Sequence, residues 1–101
     1  MSAAQGYYVY VIELDEAVGS RNDPTKPSVY VGQSAVLPEE RFRQHLAGYK
    51  ASRYVRRHGR RLKPRLYRAQ NPLPTRAAAL EMERELGRRL RKRGYTVYGA
   101  H

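Results

Sequence analysis

Glu83 is the residue of this sequence whose type and setting point most directly to chemistry. On a helix that advances about 100° per residue, it falls near the middle of a face of apolar or small residues, namely Ala79, Leu80, Leu86, Gly87 and Leu90. An unpaired carboxylate buried on such a face costs several kcal/mol, so it needs a cation, an arginine or a cleft open to water. Two interpretations stay open at this point, a metal-binding acid and a buried ion pair with an arginine.

Positive charge dominates the sequence and is clustered. Twenty Lys and Arg residues stand against nine Asp and Glu, which gives a net charge of +11 and a pI near 10.4. This balance predicts a polyanionic partner, and nucleic acid ranks first among such partners. One dense cluster, with a histidine among its arginines, is expected to form the nucleic-acid-binding surface: Arg53, Arg56, Arg57, His58, Arg60, Arg61 and Lys63.

Length and composition limit the architecture to one small domain, expected over residues 1–101. A chain of 101 residues, of which 41% are apolar, can bury one modest core. The absence of cysteine excludes disulfides, thiolate nucleophiles and zinc sites that need Cys. Residues 1–6 lack the pattern of a signal peptide, and no stretch approaches the roughly 18 apolar residues of a membrane span. We therefore expect a soluble, cytoplasmic protein without a membrane partner.

Residue patterns predict a β-hairpin in the first third of the sequence. The segment from Tyr7 to Leu14 is rich in aromatic and β-branched residues, and the segment from Ser28 to Gly32 repeats this pattern. Residues 15–28 between them collect glycine, prolines and polar side chains and are expected to form a loop. Two strands joined in this way most simply pair antiparallel, although the connection is longer than hairpins usually have.

Two helices are expected after the hairpin. Pro38 and the two acids that follow it suit the first turn of a helix. The core stripe of this helix is expected to comprise residues spaced at i, i+4 and i+7, namely Phe42, Leu46 and Tyr49. A second short helix or a turn is expected from Ser52 to His58, with Gly59 as its stop.

An edge strand and a long helix are expected in the last third. Leu62–Ala69 alternates apolar and basic residues, and Pro64 restricts such a strand to the edge of a sheet. Thr75 is expected to cap a long helix that ends at Gly94. Residues 95–98 either form a last short strand or simply pack down. The predicted fold class is α/β (α+β), with a small central three-stranded antiparallel sheet flanked by helices.

Four short motifs occur in order along the chain. Tyr8-Val9-Tyr10 is followed by two apolar residues, and Tyr30-Val31-Gly32 stands on the second strand. Arg41 and His45 follow, four positions apart, on the next helix, and Ala79-Leu80-Glu81-Met82-Glu83 lies on the last long helix. Over most of its length the sequence thereby resembles the GIY-YIG nuclease superfamily, and its size is similar to that of the small stand-alone members.

This resemblance implies a metal-dependent endonuclease that hydrolyses phosphodiester bonds in DNA, and it implies a role for each of five residues. Glu83 would hold one Mg²⁺ (or Mn²⁺), and Arg41, whose forked donors suit a phosphate, would bind the scissile group. Tyr10 would act as the general base and Tyr30 as a positioning hydroxyl. His45 would bond a tyrosine or relay a proton.

The match departs from the family pattern at several points. The glycine expected at the start of the first motif is Tyr8 here, and Gly6-Tyr7-Tyr8 offers a second register. The catalytic tyrosine is therefore either Tyr10 or Tyr8, with Tyr10 preferred. The connection between the motifs is longer than usual, and Thr96 or nothing stands where many members have an asparagine.

Two alternatives to an endonuclease stay open. The main one is a non-catalytic basic nucleic-acid-binding module on the same scaffold. The other is a basic interaction protein that uses its arginines and not its tyrosines. RNA stands beside DNA as a possible partner, and the sequence does not specify the oligomeric state.

Overall fold

A four-stranded mixed β-sheet forms the centre of the computed structural model, which describes residues 6–100. Its strands are β1 (Tyr8–Leu14), β2 (Ser28–Ser34), β3 (Gly59–Leu62) and β4 (Thr96–Gly99). They lie in the order β3-β1-β2-β4. β1 is antiparallel to both β2 and β3, whereas β4 is parallel to β2. Residues 1–5, where no signal peptide is expected, and His101 lie outside the described residues.

Three helices pack around this sheet, and they begin and end close to their predicted residues. They are α1 (Pro38–Ala47), α2 (Arg53–His58) and α3 (Arg76–Lys92). The side chains of Ser52 and Thr75 cap α2 and α3 by accepting hydrogen bonds from backbone N–H groups. Within residues 6–100, none of the helices has the length and hydropathy needed to cross a lipid bilayer.

The sheet has one strand more than the expected three-stranded antiparallel sheet, and this strand is β4. β1, β2 and β3 form the antiparallel part, and the tail adds a fourth strand that is parallel to β2. α3 packs against β1, β2 and β4, and a helical crossover of this kind allows parallel pairing. The long β1–β2 connection also contacts this strand, because the backbone N–H of Asn22 donates to Thr96 Oγ1 at 2.8 Å. The α/β class and the β1–β2 hairpin are confirmed.

The third strand lies earlier in the sequence than predicted. The prediction of a strand over Leu62–Ala69 is wrong, because β3 ends at Leu62 and two 3-10 turns follow, Pro64–Leu66 and Arg68–Gln70. Pro64 lacks a backbone N–H and opens the first of these turns, so the alternation around it does not mark a strand. The expected edge position is right, since β3 lies at one end of the strand order.

Gly59 allows α2 to pass directly into β3. A Cβ at this position would lie 2.6 Å from the backbone oxygen of Val55 and 2.9 Å from its Cγ1. Any side chain at residue 59 would therefore collide with the last turn of α2. The helix ends where the sequence predicts, and the strand begins at the same residue.

The core stripe predicted for α1 is wrong at two of its three positions. Leu46 and Tyr49 are 47% and 56% exposed, and Phe42 alone of the three packs against the core. The buried residues of α1 are Pro38 and His45. The inward face of the helix is centred between Phe42 and His45, so a polar side chain points inward in place of Leu46, and Tyr49 lies beyond the end of the helix.

Asn71 substitutes for a strand residue next to β1. Its Oδ1 accepts a hydrogen bond from Val9 N at 2.9 Å, and its Nδ2 donates to Val9 O at 2.8 Å. β3 pairs with Ile12, Glu13 and Leu14, and the side-chain amide continues the hydrogen bonding of β1 beyond them. Val9 itself is fully buried.

Replacement of Asn71 by alanine is expected to lower the free energy of unfolding by about 2–4 kcal/mol, because one buried donor and one buried acceptor lose their partners. Chemical denaturation measures this loss. Asn71→Asp keeps the acceptor but sets a carboxylate oxygen against Val9 O, so it should be destabilised at least as much as the alanine variant. A loss below about 0.5 kcal/mol for Asn71→Ala would show that water replaces the amide without cost.

Candidate active site

His45 is the residue around which the candidate active site is organised. It projects from α1, is only 1% exposed, and its Nε2 lies 2.8 Å from the hydroxyl of Tyr10 on β1. On the other side of the ring, the backbone N–H of Ser52 donates to Nδ1 at 3.0 Å. The imidazole thus joins β1, α1 and the start of α2 through two hydrogen bonds.

The Ser52 contact decides which nitrogen of His45 carries the proton. A backbone N–H can only donate, so Nδ1 is unprotonated and the proton of the neutral ring is on Nε2. The Nε2–H group then donates to the oxygen of Tyr10, which leaves the phenolic hydrogen for another acceptor. Burial, and after it the charge of Arg41, lowers the pKa of His45 from 6.5 to about 4. The ring is therefore neutral at pH 7.

Gly32 provides the space that the Tyr10 phenol occupies. Antiparallel pairing places Tyr10 opposite Gly32 and Ile12 opposite Tyr30. A Cβ at position 32 would lie 2.5 Å from the hydroxyl oxygen of Tyr10, so a side chain there would displace the phenol. β2 continues to Ser34. The glycine of the second motif is therefore required by this close approach and does not end the strand.

Tyr30 packs beside the Tyr10–His45 pair. Its ring centroid lies 6.4 Å from that of Tyr10 and 5.7 Å from that of His45. Burial raises the pKa of Tyr30, and the negative charge of Glu83 raises it further. A hydrogen bond with the Ser52 side chain acts in the opposite direction. Tyr30 therefore lies beside the same histidine as Tyr10, and the charges of Glu83 and Arg41 act on both phenols.

Glu83 acts electrostatically on both tyrosines. α3 buries it, as its helical phase predicts, and leaves 4% of it exposed. Burial is the main cause of the raised pKa of Tyr10, and the charges of Tyr30 and Glu83 add to it. The charge of Arg41 and a hydrogen bond with its side chain oppose this shift. The carboxylate and the guanidinium therefore belong to one electrostatic group with the two phenols.

Arg41 links this group to the segment that follows α1. Nη1 donates to Gln44 Oε1 at 3.2 Å and to Tyr49 O at 3.1 Å, and Nη2 donates to Lys50 O at 2.7 Å. A guanidinium has five N–H donors, so these three contacts and the one with Tyr10 leave one donor for a phosphate. Its charge also reaches His45, whose pKa it lowers. The site thus combines a carboxylate, a guanidinium, an imidazole and two phenols.

Comparison with known proteins places this arrangement in a family. The family model of the GIY-YIG catalytic domain matches residues 6–96. The chain belongs to the GIY-YIG family. It therefore carries a nuclease-type catalytic domain, as the sequence motifs predict. Searches of curated proteins and of solved structures gave no match.

Within the GIY-YIG domain, Tyr10 and not Tyr8 lies with the other candidate residues. Tyr8 lines a separate groove together with Tyr67 and Asn71, whereas Tyr10 is hydrogen bonded to His45. The preferred register of the first motif is thus the one that brings the catalytic candidates together: Tyr10, Tyr30, Arg41, His45 and Glu83. Ser52, which orients the histidine, was not anticipated, because its contribution comes from the backbone and its residue type signals only a helix cap.

In this GIY-YIG protein, three of the seven residues predicted to bind nucleic acid lie beside acidic side chains. Arg61 and Lys63 lie 3.7 Å and 3.3 Å from Glu13 Oε1. His58 Nδ1 lies 3.0 Å from Asp15 Oδ1. Sequence reasoning could not anticipate these pairs, because sheet pairing brings together residues more than 40 positions apart. Glu13 reduces the net positive charge that Arg61 and Lys63 present.

The remaining arginines of this surface are exposed on α2 and β3: Arg53, Arg56, Arg57 and Arg60. The Arg53 guanidinium lies 5.7 Å from the centroid of the Tyr54 ring, and the Arg56 guanidinium lies against Gly48 at the end of α1. Arg57 and Arg60 form no ion pair within residues 6–100. These four residues form the most accessible positive charge of the set.

The candidate residues fit a cation held by a single carboxylate. Within the described part of the chain, no group of three or more His, Asp or Glu side chains could together hold a metal ion. Mg²⁺ keeps several waters and is usually bound through one or two carboxylates and substrate phosphates. Glu83, buried within the electrostatic reach of two phenols, suits that ion better than a zinc or calcium cage.

The neutral state of His45 predicts that stability depends on pH. The ring takes up a proton near pH 4 in the folded protein and near pH 6.5 in the unfolded chain. Between these values the unfolded chain binds more protons, so stability decreases as the pH falls. We expect the free energy of unfolding to fall by about 2 kcal/mol from pH 6.5 to pH 5, as measured by urea denaturation.

His45→Gln is the matched control, because its neutral amide does not titrate. Its free energy of unfolding should decrease less than that of the wild type over the same pH range. If the two proteins have the same pH dependence, His45 is not the buried neutral group described above.

Proposed function

We propose that the protein is a divalent-metal-dependent endonuclease that hydrolyses phosphodiester bonds in DNA. The observation that supports this most strongly is the hydrogen-bonded chain from Ser52 through His45 to Tyr10, within the electrostatic reach of Arg41 and Glu83. Membership of the GIY-YIG family supports a nuclease in general. The side chains of the site support the proposed cation and base, and the exposed arginines support a nucleic-acid substrate.

Glu83 and Arg41 provide the charges that the reaction needs. Glu83 would hold one Mg²⁺ or Mn²⁺, and that ion would supply positive charge for the attacking water and the phosphate oxygens. Arg41 binds the scissile phosphate with the donor that its other contacts leave available. Tyr30 positions the water through its hydroxyl.

Tyr10 is the general base in this proposal, and His45 prepares it. Donation of Nε2–H to the phenolic oxygen stabilises the phenolate. Burial and the charge of Glu83 favour the protonated phenol in the protein alone. A cation held by Glu83 would offset the part of this opposition that the carboxylate contributes.

The exposed arginines hold the DNA backbone beside this group. Contacts from Arg53, Arg56, Arg57 and Arg60 to phosphates carry no sequence information, so binding should depend on salt and only weakly on sequence. RNA presents the same phosphates and is a second substrate to test. We place the activity in the cytoplasm.

The catalytic part of the proposal is tested with labelled duplex, branched and single-stranded DNA in Mg²⁺. The wild type should cut, and Glu83→Gln should lose at least about a hundredfold in rate while it retains DNA binding. Glu81→Gln is the matched control, because Glu81 is exposed on the same helix, and it should cut as the wild type does. Cleavage rates come from gel analysis of time courses.

Two results would count against this mechanism. Cleavage by Glu83→Gln at the wild-type rate would remove Glu83 from the chemistry. If the wild type binds DNA but shows no divalent-dependent hydrolysis, the non-catalytic nucleic-acid-binding module is favoured. The raised pKa of Tyr10 is consistent with that alternative.

The ion pairs predict unequal contributions to DNA binding from the basic surface. Arg57→Gln and Arg60→Gln should each weaken duplex binding and reduce the slope of log K against log salt by about 0.9. Arg61→Gln should have a smaller effect, because Glu13 already compensates part of this charge. Fluorescence anisotropy titrations at several salt concentrations measure the slopes. Equal losses for the three variants would contradict this ranking.

A further inference from the structure

A cavity of about 270 Å³ opens beside Arg41. It lies between the end of β2 and the connection from α1 to α2, and its lining includes Ser34, Val36, Arg41, Gln44, Tyr49 and Lys50. Sites for small molecules usually have volumes of roughly 300–1,000 Å³. The cavity therefore has room for one planar ring system and little more.

Hydrogen bonds hold both walls of this cavity in place. On one wall, Ser34 Oγ donates to Val36 O at 2.7 Å and accepts from Val36 N at 2.8 Å. On the other wall, Arg41 holds the carbonyls of Tyr49 and Lys50. Lys50 has a φ of 42°, in the left-handed region that side chains rarely adopt. Surrounding contacts must fix a residue in this conformation, so the cavity is preformed.

The second wall combines an aromatic ring with positive charge. Tyr49 is 56% exposed, and Lys50 Nζ lies 5.7 Å from its ring centroid. The Arg56 guanidinium lies against Gly48, the residue before the tyrosine. Proteins that bind single-stranded nucleic acid use this combination, in which the ring stacks on a base and the cations hold the backbone.

Stacking on Tyr49 requires an unpaired base. In a continuous duplex the neighbouring bases cover both faces of each base, and exposure of one face costs unstacking energy. A single-stranded or splayed nucleotide has already lost those neighbours. The aromatic ring and the cations of this wall therefore favour nucleic acid with an unpaired nucleotide over a continuous duplex.

We propose that this cavity is a nucleotide subsite, in which one unpaired base stacks on Tyr49 and Lys50 holds its phosphate. Arg41 lines the subsite and also belongs to the candidate active site, so the bound nucleotide lies next to the scissile phosphate. This adjacency rests on the proposed function, and it makes forked or flapped DNA the preferred substrate.

The test measures binding in EDTA, so that cleavage plays no part. Anisotropy titrations compare a labelled continuous duplex with the same duplex carrying an unpaired arm, using the full chain. The wild type should bind the forked DNA more tightly. Tyr49→Ala should weaken forked binding about tenfold, within the range for one base–aromatic stack, and should leave duplex binding unchanged.

Two variants serve as controls for the loss of the ring. Tyr49→Phe retains the aromatic face and should bind both DNAs as the wild type does. Leu46→Ala removes another exposed apolar side chain from the end of α1, outside the cavity lining. It should also keep the preference for forked DNA.

A 2-aminopurine base at the unpaired position reports the stacking directly and needs no variant. Its fluorescence should change when wild-type protein binds and should not change in the continuous duplex. Any of three results would overturn the proposed subsite: equal binding of the two DNAs, an unchanged preference for forked DNA in Tyr49→Ala, or no change in 2-aminopurine fluorescence. If the protein does not cut DNA in a way that depends on Glu83, the proposed endonuclease activity is wrong, but the binding results still support the subsite.

Discussion

The two hydrogen bonds of the His45 ring are the interaction on which the rest of the site depends. A buried neutral imidazole needs a donor on one side and an acceptor on the other, and Ser52 and Tyr10 meet this need from different elements. This requirement turns α1 so that His45 points inward and Leu46 outward. It also sets the path of the connection to α2, whose carbonyls hold Arg41.

Sheet register determines where the phenols stand. Tyr10 faces Gly32 and Tyr30 faces Ile12 across the β1–β2 pair, so both phenols lie on one side of the sheet. A slip of one residue would move Tyr10 to the opposite side, away from His45. Burial of β1 on both faces and the double hydrogen bond from Asn71 to Val9 oppose such a slip. The architecture of the sheet therefore determines the geometry of the candidate site.

Features that depend on local sequence could be predicted, and features that depend on distant contacts could not. The cap at Thr75 and the inward phase of Glu83 follow from the helical period of one segment, and both were correct. The face of α1 was wrong because its apolar spacing competes with a hydrogen bond from Ser52, and that backbone N–H leaves no trace in residue type. The pairing of Lys63 with Glu13 and of β4 with β2 likewise arises only when the sheet has formed.

Burial and nearby charges, and not the net charge, set the pKa values of the two tyrosines. A net charge of +11 would by itself favour the phenolates, yet the pKa of Tyr10 and that of Tyr30 are both raised. Exposed charges farther away than about 10 Å are largely screened at 0.1 M salt, whereas Glu83 acts through the buried interior. Its charge raises the pKa of both phenols, so one buried carboxylate on α3 couples the two tyrosines of the sheet.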